Sequence, residues 1–244
     1  MAPVIEISKL SKRYGNFVAL NELTLEIEKG EVFGFLGHNG AGKTTTIHIL
    51  TSLLAPTSGS ARICGYDVVS QSMLARSHVG YVPENVRLYD QMTAQENLTF
   101  FAKLSGVQSP QTRIGETLKL LDCPELAGKS VGAMSKGQRQ RIGLAQAILH
   151  RPEVLFLDEP TAGLDPAGIK TLRDLITKLN RELGMTVFMN THLISEVSKT
   201  CTSIGILNHG QLAYRDSIEK VMARFGDDQT LEDMYLSLTP TLAA

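Results

Sequence analysis

The sequence predicts an α/β fold: a mostly parallel sheet flanked by helices, with an antiparallel sheet near the N-terminus and a helical insert in the middle. Three observations support it. The apolar runs 32–36, 154–157 and 185–189 read as buried parallel strands, each followed by a turn and a helix-like stretch. Residues 4–10 and 18–27 alternate apolar and polar side chains, as half-buried antiparallel strands do. From about 92 to 149, apolar residues recur at helical spacing.

The first two strands are separated by residues 12–15, Lys-Arg-Tyr-Gly, which predict a turn. Tyr14 could there stack on a planar base, although a surface tyrosine beside a turn glycine is the commoner local outcome. Further along, Pro83 ends the short strand 79–82 and leaves Glu84 at its carboxyl end. Open α/β sheets bind their ligands at that edge, so Glu84 is a candidate site residue.

A glycine-rich stretch joins the strand that ends at Leu36 to the start of a helix. Its glycines allow successive N–H groups to turn inward around phosphate oxygens at the helix N-terminus. Lys43 offers a positive charge for the β- and γ-phosphates, and the Thr44 hydroxyl suits the Mg²⁺ that bridges them. A glycine-rich turn without a ligand remains the alternative for this motif taken alone. The predicted phosphate-binding residues are Gly37, His38, Asn39, Gly40, Ala41, Gly42, Lys43, Thr44 and Thr45.

The helical insert is predicted from two apolar faces and ends in a helix capped by Ser135. One face consists of Leu98, Phe101 and Leu104, and the other of Ile114, Leu118 and Leu121. The serine hydroxyl, the flexible Gly137 and the free N–H groups of a helix start predict a second anion site, separate from the first. An ordinary capped helix is the commoner alternative.

Two acids follow the buried strand 154–157. Asp158 could hold the Mg²⁺ shell, and Glu159 could accept a proton from the water that attacks the γ-phosphate. Two acids capping a strand in solvent are the alternative, which the phosphate loop in the same chain disfavours. His192 follows the run 185–189 and could contact the same phosphate, although an isolated histidine is more often a surface or core residue.

Composition limits the function classes. The 244 residues carry a net charge of −1, so no polyanion-binding surface and no nucleic-acid partner are expected. The three cysteines are far apart, which argues against a disulfide framework or a zinc site and favours a reducing compartment. No apolar run reaches the roughly 18 residues that a membrane span requires, so no direct span is expected.

Taken in order, these features resemble the nucleotide-binding subunits of ABC transporters over residues 3–238. The resemblance is carried by the phosphate loop, Glu84, the helical insert, Ser135 to Gln138, Asp158 with Glu159, Gly163 to Asp165, and His192. It implies one nucleotide-binding domain over residues 1–238 and a mobile tail over 239–244. Within the domain it implies a P-loop, RecA-like core with the antiparallel β subdomain (1–90 and 150–216), a helical subdomain (91–149) and C-terminal helices (217–238).

The same resemblance implies ATP and Mg²⁺ as ligands and a role for each site residue. Tyr14 matches the adenine-stacking aromatic, residues 37–45 the Walker A loop, and Asp158 the Walker B aspartate. The implied metal ligands are Thr44, Glu84 and Asp158, and the implied catalytic residues are Glu159 as base, His192 as switch histidine, and Lys43. Ser135, Gly137 and Gln138 match the signature motif, which contacts ATP held by the opposite subunit, and Asp165 matches a loop that links the two sites.

The implied partners are a second ATPase subunit, as a homodimer, and transmembrane permease subunits. They would hold the chain peripherally on the cytoplasmic face of the membrane. Two positions depart from the family pattern: Lys136 stands where the signature has glycine, and Glu84 stands where glutamine is usual. The loop sequences look most like short bacterial or archaeal exporters, so export is the expected direction.

Two alternatives remain open at this point. One is a non-transport ABC ATPase of DNA repair or translation, but the stretch between Lys43 and Ser135 has room for only one helical subdomain rather than a long coiled coil. The other is a nucleotide-binding regulatory module without turnover, and the presence of Glu159 and His192 weighs against it.

Overall fold

The computed structural model describes residues 3–225 and Tyr235, which form ten strands and eight α-helices. The strands are β1 (Ile5–Tyr14), β2 (Phe17–Ile27), β3 (Val32–Leu36), β4 (Ser58–Ile63), β5 (Tyr66–Asp67), β6 (Val79–Val82), β7 (Val154–Asp158), β8 (Thr186–Thr191), β9 (Ser203–Asn208) and β10 (Gln211–Ser217). The helices are α1 (Lys43–Leu50), α2 (Ser72–Ser77), α3 (Ala94–Leu104), α4 (Pro110–Leu120), α5 (Lys136–Ile148), α6 (Pro166–Leu183), α7 (Ile194–Thr200) and α8 (Ile218–Phe225). Two 3₁₀ turns, Pro124–Leu126 and Val131–Ala133, precede α5.

The strands form two sheets. A four-stranded antiparallel sheet has the order β2-β1-β4-β5, and a six-stranded sheet has the order β10-β9-β3-β8-β7-β6. In the larger sheet every neighbouring pair is parallel except β10 with β9. The predicted fold class is confirmed. Because the carboxyl ends of β3, β6, β7 and β8 meet at one edge, the segments that follow these strands gather there.

Strands β3 and β7 of the larger sheet are buried on both faces, which explains why they are almost entirely apolar. On one face Phe33, Phe35 and Phe156 surround Phe188, with ring centroids 5.2–5.4 Å from it, and pack with α1 and the antiparallel sheet. On the other face the sheet shares one continuous core with α6 and the helical insert. The sheet edge that carries the site is therefore supported from both sides.

Helix α5 lies very close to β6. A Cβ atom placed on Gly80 of β6 would be 2.5 Å from the carbonyl oxygen of Ala147 in α5, closer than real carbon–oxygen contacts allow. A glycine at this position lets the last helix of the insert pack against the sheet. Ser135, at the start of α5, is thereby fixed relative to the strands.

Two expectations were wrong in detail. Residues 12–14 were expected in a turn, but they continue β1, because β1 and β2 pair as far as Tyr14 with Phe17. The turn is thus shorter than the sequence indicated. Leu104 was expected on the buried face of its helix, but it is 69% exposed at the last residue of α3, while Leu98 is buried.

The chain after β10 was expected to form C-terminal helices over residues 217–238 and a mobile tail over 239–244. Ser217 accepts a hydrogen bond from the Lys220 N–H at 3.3 Å and so caps α8. Apart from Tyr235, residues beyond 225 lie outside the described part of the chain. Within the described part, no helix combines the length and hydropathy needed to cross a bilayer.

Candidate functional site

The loop between β3 and α1 is shaped by its glycines. Gly40 and Gly42 have φ angles of +83° and +110°, a backbone region that L-residues with a Cβ rarely adopt. A Cβ on Gly42 would also lie 2.5 Å from the carbonyl oxygen of Ala19, so side chains are excluded there by space as well. The loop therefore keeps an open, backbone-lined curve that leads into the N-terminus of α1, where anions are favoured.

Lys43 is 6% exposed although it carries an ammonium group. Its Nζ donates hydrogen bonds to the carbonyl oxygens of Gly37, at 2.7 Å, and His38, at 3.2 Å. Burial lowers the pKa of Lys43, and the negative charges of Glu159 and Asp158 act in the opposite direction. The side chain is thus held within the loop, with two acids near enough to favour its charged form.

Asp158 is the buried acid at the end of β7. One carboxylate oxygen, Oδ1, accepts hydrogen bonds from the Asn190 amide and, at 3.3 Å, from the Thr44 hydroxyl. Burial is the main reason that the pKa of Asp158 is raised; the two hydrogen bonds lower it, and the charge of Glu84 raises it further. Hydroxyl and carboxylate oxygens at this spacing form a donor set that fits a hard cation such as Mg²⁺.

Glu159 follows Asp158 with a φ angle of +47°, in the left-handed region. Its N–H donates to the Asn190 carbonyl oxygen at 3.0 Å, which holds the residue against the end of β8. Its Oε2 lies 2.8 Å from Nδ1 of His192, and the side chains are 14% and 52% exposed. The structure thus places an acid and an imidazole as a hydrogen-bonded pair at the sheet edge, with the imidazole on the solvent side.

Gly40, Gly42, Lys43 and Glu159 open onto one cavity of about 250 Å³, which we call the phosphate cleft. It is lined by Tyr14, Phe17, Ala19, Asn39, Gly40, Gly42, Lys43, Thr44, Thr45, Glu84, Glu159 and Asn190. Asp158 and His192 are not among its lining residues and reach it through their hydrogen bonds to Thr44, Asn190 and Glu159. The rings of Tyr14 and Phe17 are 48% and 60% exposed and stand on either side of the β1–β2 turn. The cavity therefore joins exposed aromatic surface to the glycine loop and the acids.

Three residues that line the phosphate cleft were missed by the sequence analysis: Phe17, Ala19 and Asn190. Phe17 faces Tyr14 across the turn, and the two-residue separation of these aromatics was a signal that could have identified it. Asn190 donates to Asp158, but an amide at the end of an apolar run has no pattern that marks it. Its other amide atom, Oδ1, is buried without a protein partner.

A second cavity of about 440 Å³, which we call the serine cleft, lies between the start of α5 and the segment before α6. Its lining includes Ser135, Lys136, Gly137, Gln138, Gly163, Leu164, Asp165 and Gly168. None of these residues lines the phosphate cleft. Within one described chain, the predicted site residues that line a cavity are therefore divided between two separate cavities. The remaining predicted residues line neither cavity: Gly37, His38, Ala41, Asp158 and His192.

Capping geometry shapes the serine cleft. The Ser135 hydroxyl accepts from the Gln138 N–H at 3.3 Å, and the Gln138 Oε1 accepts from the Ser135 N–H at 3.2 Å and from the Lys129 ammonium at 2.9 Å. The Asp165 carboxylate caps α6 by accepting from the Gly168 N–H at 2.8 Å. The side chains of Ser135 and Asp165 are thus fixed at helix N-termini, where backbone N–H groups point outward.

Comparisons with known proteins agree on one family. The family model described as ABC transporter matches residues 20–162, more than half of the chain. The bacitracin transport ATP-binding protein BcrA of Bacillus licheniformis is 40% identical over 212 residues, which are 87% of this chain and 69% of that protein. The region that the family model matches contains the phosphate loop, Glu84, Ser135, Asp158 and Glu159.

Solved structures extend the comparison to the fold. The cbiO1 subunit of Clostridium perfringens, described as part of an ABC transporter complex, has a TM-score of 0.85 and 27% identity, over 93% of each chain. An ATP-binding cassette described as dimeric, in a post-hydrolysis state with ADP and Pi, has a TM-score of 0.77 and 26% identity. That alignment covers 88% of this chain and 98% of the cassette.

Proposed function

The chain belongs to the ABC transporter family, as an ATP-binding and ATP-hydrolysing subunit, and we propose that it drives export by closing on ATP as a homodimer. The resemblance drawn from the sequence is confirmed by the family match. The alternative of a DNA-repair or translation ATPase is not favoured, because the relatives are named for transport. Export as the direction is supported by the bacitracin transport relative.

The separation of the two clefts is the observation that carries the proposal. The phosphate cleft is lined by Lys43, Glu84 and Glu159, and the serine cleft is lined by Ser135. One ATP would then lie between Lys43 of one copy and Ser135 of the other, so that two copies form two complete sites. The dimeric cassette with ADP and Pi supports this arrangement by its similar fold.

Within the phosphate cleft, we assign Glu159 as the general base that takes a proton from the attacking water. His192 positions the Glu159 carboxylate through their 2.8 Å hydrogen bond and would contact the γ-phosphate. Lys43 and the N–H groups of residues 37–45 hold the phosphates. Thr44, Asp158 and Glu84 would hold Mg²⁺, which supplies charge neutralisation at the β- and γ-phosphates.

The remaining site residues are assigned to recognition. Tyr14 would stack on the adenine, and its exposed ring beside the glycine loop suits that role. Gly137 and Gln138 would join Ser135 in contacting the other copy's ATP at the start of α5. Asp165, which caps α6 in the same cleft, would link the two sites across the dimer.

We further propose that membrane permease subunits dock near Glu84 and the helical subdomain, residues 91–149. They would hold the chain on the cytoplasmic face of the membrane. Residues 1–90 and 150–216 would form the RecA-like core with the antiparallel β subdomain. ATP-driven closure of the dimer would then be passed to the permease as a change of access across the bilayer.

The decisive experiment replaces Glu159 by glutamine, which keeps the shape and removes the base. ATP turnover is expected to fall by about 10²–10⁴-fold, equivalent to about 3–5 kcal/mol of barrier, while ATP still binds. Because ATP then holds the closed state, size-exclusion chromatography with ATP should show a persistent dimer.

The matched control is Glu125→Gln, the same replacement at an exposed acid on a 3₁₀ turn of the insert. It should leave turnover and assembly unchanged. A Glu159→Gln protein that hydrolyses ATP at the wild-type rate would refute the role of Glu159 as base.

A further inference from the structure

Three potential metal ligands lie together outside both clefts. The Sγ of Cys64, a ring nitrogen of His78 and a carboxylate oxygen of Glu153 all lie within 4.8 Å of one another. Cys64 follows β4, His78 immediately precedes β6, and Glu153 immediately precedes β7. The group thus lies where the turn after β4 of the antiparallel sheet meets the amino ends of two strands of the larger sheet.

The backbone holds all three residues in place. The N–H of Cys64 donates to the Val4 carbonyl oxygen at 2.8 Å, which ties the turn to the start of the first strand. The His78 carbonyl oxygen accepts from the Val154 N–H at 3.1 Å, and that of Glu153 accepts from the Thr186 N–H at 3.0 Å. A ligand set on paired strand ends loses little additional freedom when a metal binds.

The side chain of His78 is also oriented. Its imidazole stacks on the Tyr66 ring, with centroids 5.3 Å apart and planes 18° apart. Its Nδ1 lies 2.8 Å from Oε2 of Glu153, and the two side chains are 26% and 44% exposed. The cluster is therefore ordered yet still open to a solvent ion.

We propose that Cys64, His78 and Glu153 form a binding site for a zinc-class divalent cation, with water as the fourth ligand. Thiolate, imidazole and carboxylate are the three side-chain ligands that Zn²⁺ uses, whereas Mg²⁺ and Ca²⁺ prefer oxygen alone. In a tetrahedral zinc site the ligand atoms lie about 3.3–3.6 Å apart. The ligand atoms lie within 4.8 Å of one another, so the thiol and the partly exposed Glu153 carboxylate would need to move by about 1 Å to reach that spacing.

Binding would convert the Cys64 thiol to a thiolate and release its proton to solvent. The bound ion would cross-link the two sheets, because Cys64 follows the antiparallel sheet and the other ligands begin strands of the larger one. The spacing of the cysteines argued against a zinc site, since that signal requires paired cysteines. Ligands contributed singly by residues 64, 78 and 153 have no such spacing.

The test titrates Co²⁺ into the nucleotide-free protein and follows the sulfur-to-cobalt charge-transfer absorption, which reports thiolate ligation. Wild-type protein should develop the band with one equivalent of Co²⁺, and Zn²⁺ should displace it. Cys64→Ser should remove the band. Cys123 and Cys201 are buried, so Cys64 is the thiol within reach of a solvent ion. Acids of the phosphate cleft can also bind Co²⁺, but without a thiolate they give no such band.

His78→Gln and Glu153→Gln should each weaken Zn²⁺ binding at least about tenfold, since even outer-shell partners of a metal site contribute that much. The matched control Glu116→Gln, at a comparably exposed acid in α4, should bind as wild type. Zn²⁺ should also raise the Tm of wild-type protein and not that of Cys64→Ser.

A wild-type protein without the charge-transfer band would overturn the proposal, and so would a band that persists in Cys64→Ser. Cys64→Ser changes one atom, so it keeps the test valid if either of the other variants fails to fold. Far-UV circular dichroism without metal checks the fold of each protein.

Discussion

Glu84 lines the phosphate cleft close enough to the buried Asp158 for its charge to act on that carboxyl group. Burial is the main cause of the raised pKa of Asp158, and the charge of Glu84 raises it further. Nearby like charges disfavour ionisation of each other, whereas a bound cation favours it. Metal binding and proton binding should therefore compete at Asp158 more strongly than they would beside a neutral amide in place of Glu84.

Glu84→Gln should move the acid limb of ATP hydrolysis to lower pH and raise the Mg²⁺ concentration that hydrolysis requires. Without the Glu84 charge the pKa of Asp158 falls, so the acid limb of the pH–rate profile should move to lower pH. Since one carboxylate ligand is lost, the Mg²⁺ concentration for half-maximal rate should rise severalfold. Steady-state ATPase assays across pH and Mg²⁺ measure both.

The control is again Glu125→Gln, which removes a negative charge far from the cleft in sequence and should reproduce the wild-type profiles. Identical pH and Mg²⁺ profiles for wild type and Glu84→Gln would exclude a role for the Glu84 charge.

At the residue scale, the sequence could predict side chains whose chemistry is rare at their position. Lys43 after glycines and two acids after an apolar strand are such cases. The structure places Lys43 and Glu159 in one cleft, and Asp158 is near enough for its charge to act on Lys43. Asn190 could not be predicted, because its importance depends on the hydrogen bond to Asp158, a residue 32 positions away. The cluster of Cys64, His78 and Glu153 is a similar case, because only the fold brings these three residues together.

At the element scale, the contact between α5 and β6 fixes the helical insert on the sheet. The backbones approach so closely that Gly80 leaves no room for a methyl group beside the Ala147 carbonyl oxygen. Backbone cannot move aside as a flexible side chain can, so any Cβ here must displace the helix or the strand.

Gly80→Ala should therefore destabilise the fold by about 1–3 kcal/mol, the usual range for overpacking. The control is Gly115→Ala on the exposed face of α4, where a Cβ would meet nothing within 4 Å. Because alanine favours helix over glycine, this variant should gain about 0.5–1 kcal/mol. Urea unfolding of both proteins gives the comparison, and an unchanged midpoint for Gly80→Ala would show that the helix can yield.

The elements themselves were largely predictable, because strand and helix periods differ clearly in this chain. The strand 79–82 has the predicted bounds, and the apolar runs 32–36 and 154–157 lie in β3 and β7. The extension of β1 to Tyr14 was missed, because Gly15 marks a turn but the sequence does not show where pairing with β2 stops. The number of helices in the insert likewise depends on how they pack rather than on period alone.

At the scale of the whole molecule, the division of site residues between two clefts makes assembly testable. Ser135 caps α5 in a capping box with Gln138, and Thr93 caps α3 in the same way with Glu96. Ser135 and Thr93 thus cap their helices in the same way, but of the two only Ser135 lines the serine cleft.

Ser135→Arg, added to Glu159→Gln, should abolish the ATP-dependent dimer because a bulky side chain then fills the serine cleft. ATP binding to the phosphate cleft should persist, as measured with a fluorescent nucleotide. Thr93→Arg in the same background loses a comparable cap, costing about 1 kcal/mol, and should still dimerise. If both double variants dimerise equally, Ser135 is not at the interface between copies.

The placement of the two clefts on one chain also determines how ATPase activity depends on the amount of this chain in the cell. On the proposed mechanism, a single copy binds ATP without the groups that complete the catalytic site. Free copies therefore hydrolyse little ATP. Productive encounters between such free copies scale with the square of their concentration. A cell that halves expression of this chain would therefore lose more than half of the unassembled activity, whereas copies already paired on a permease would be unaffected.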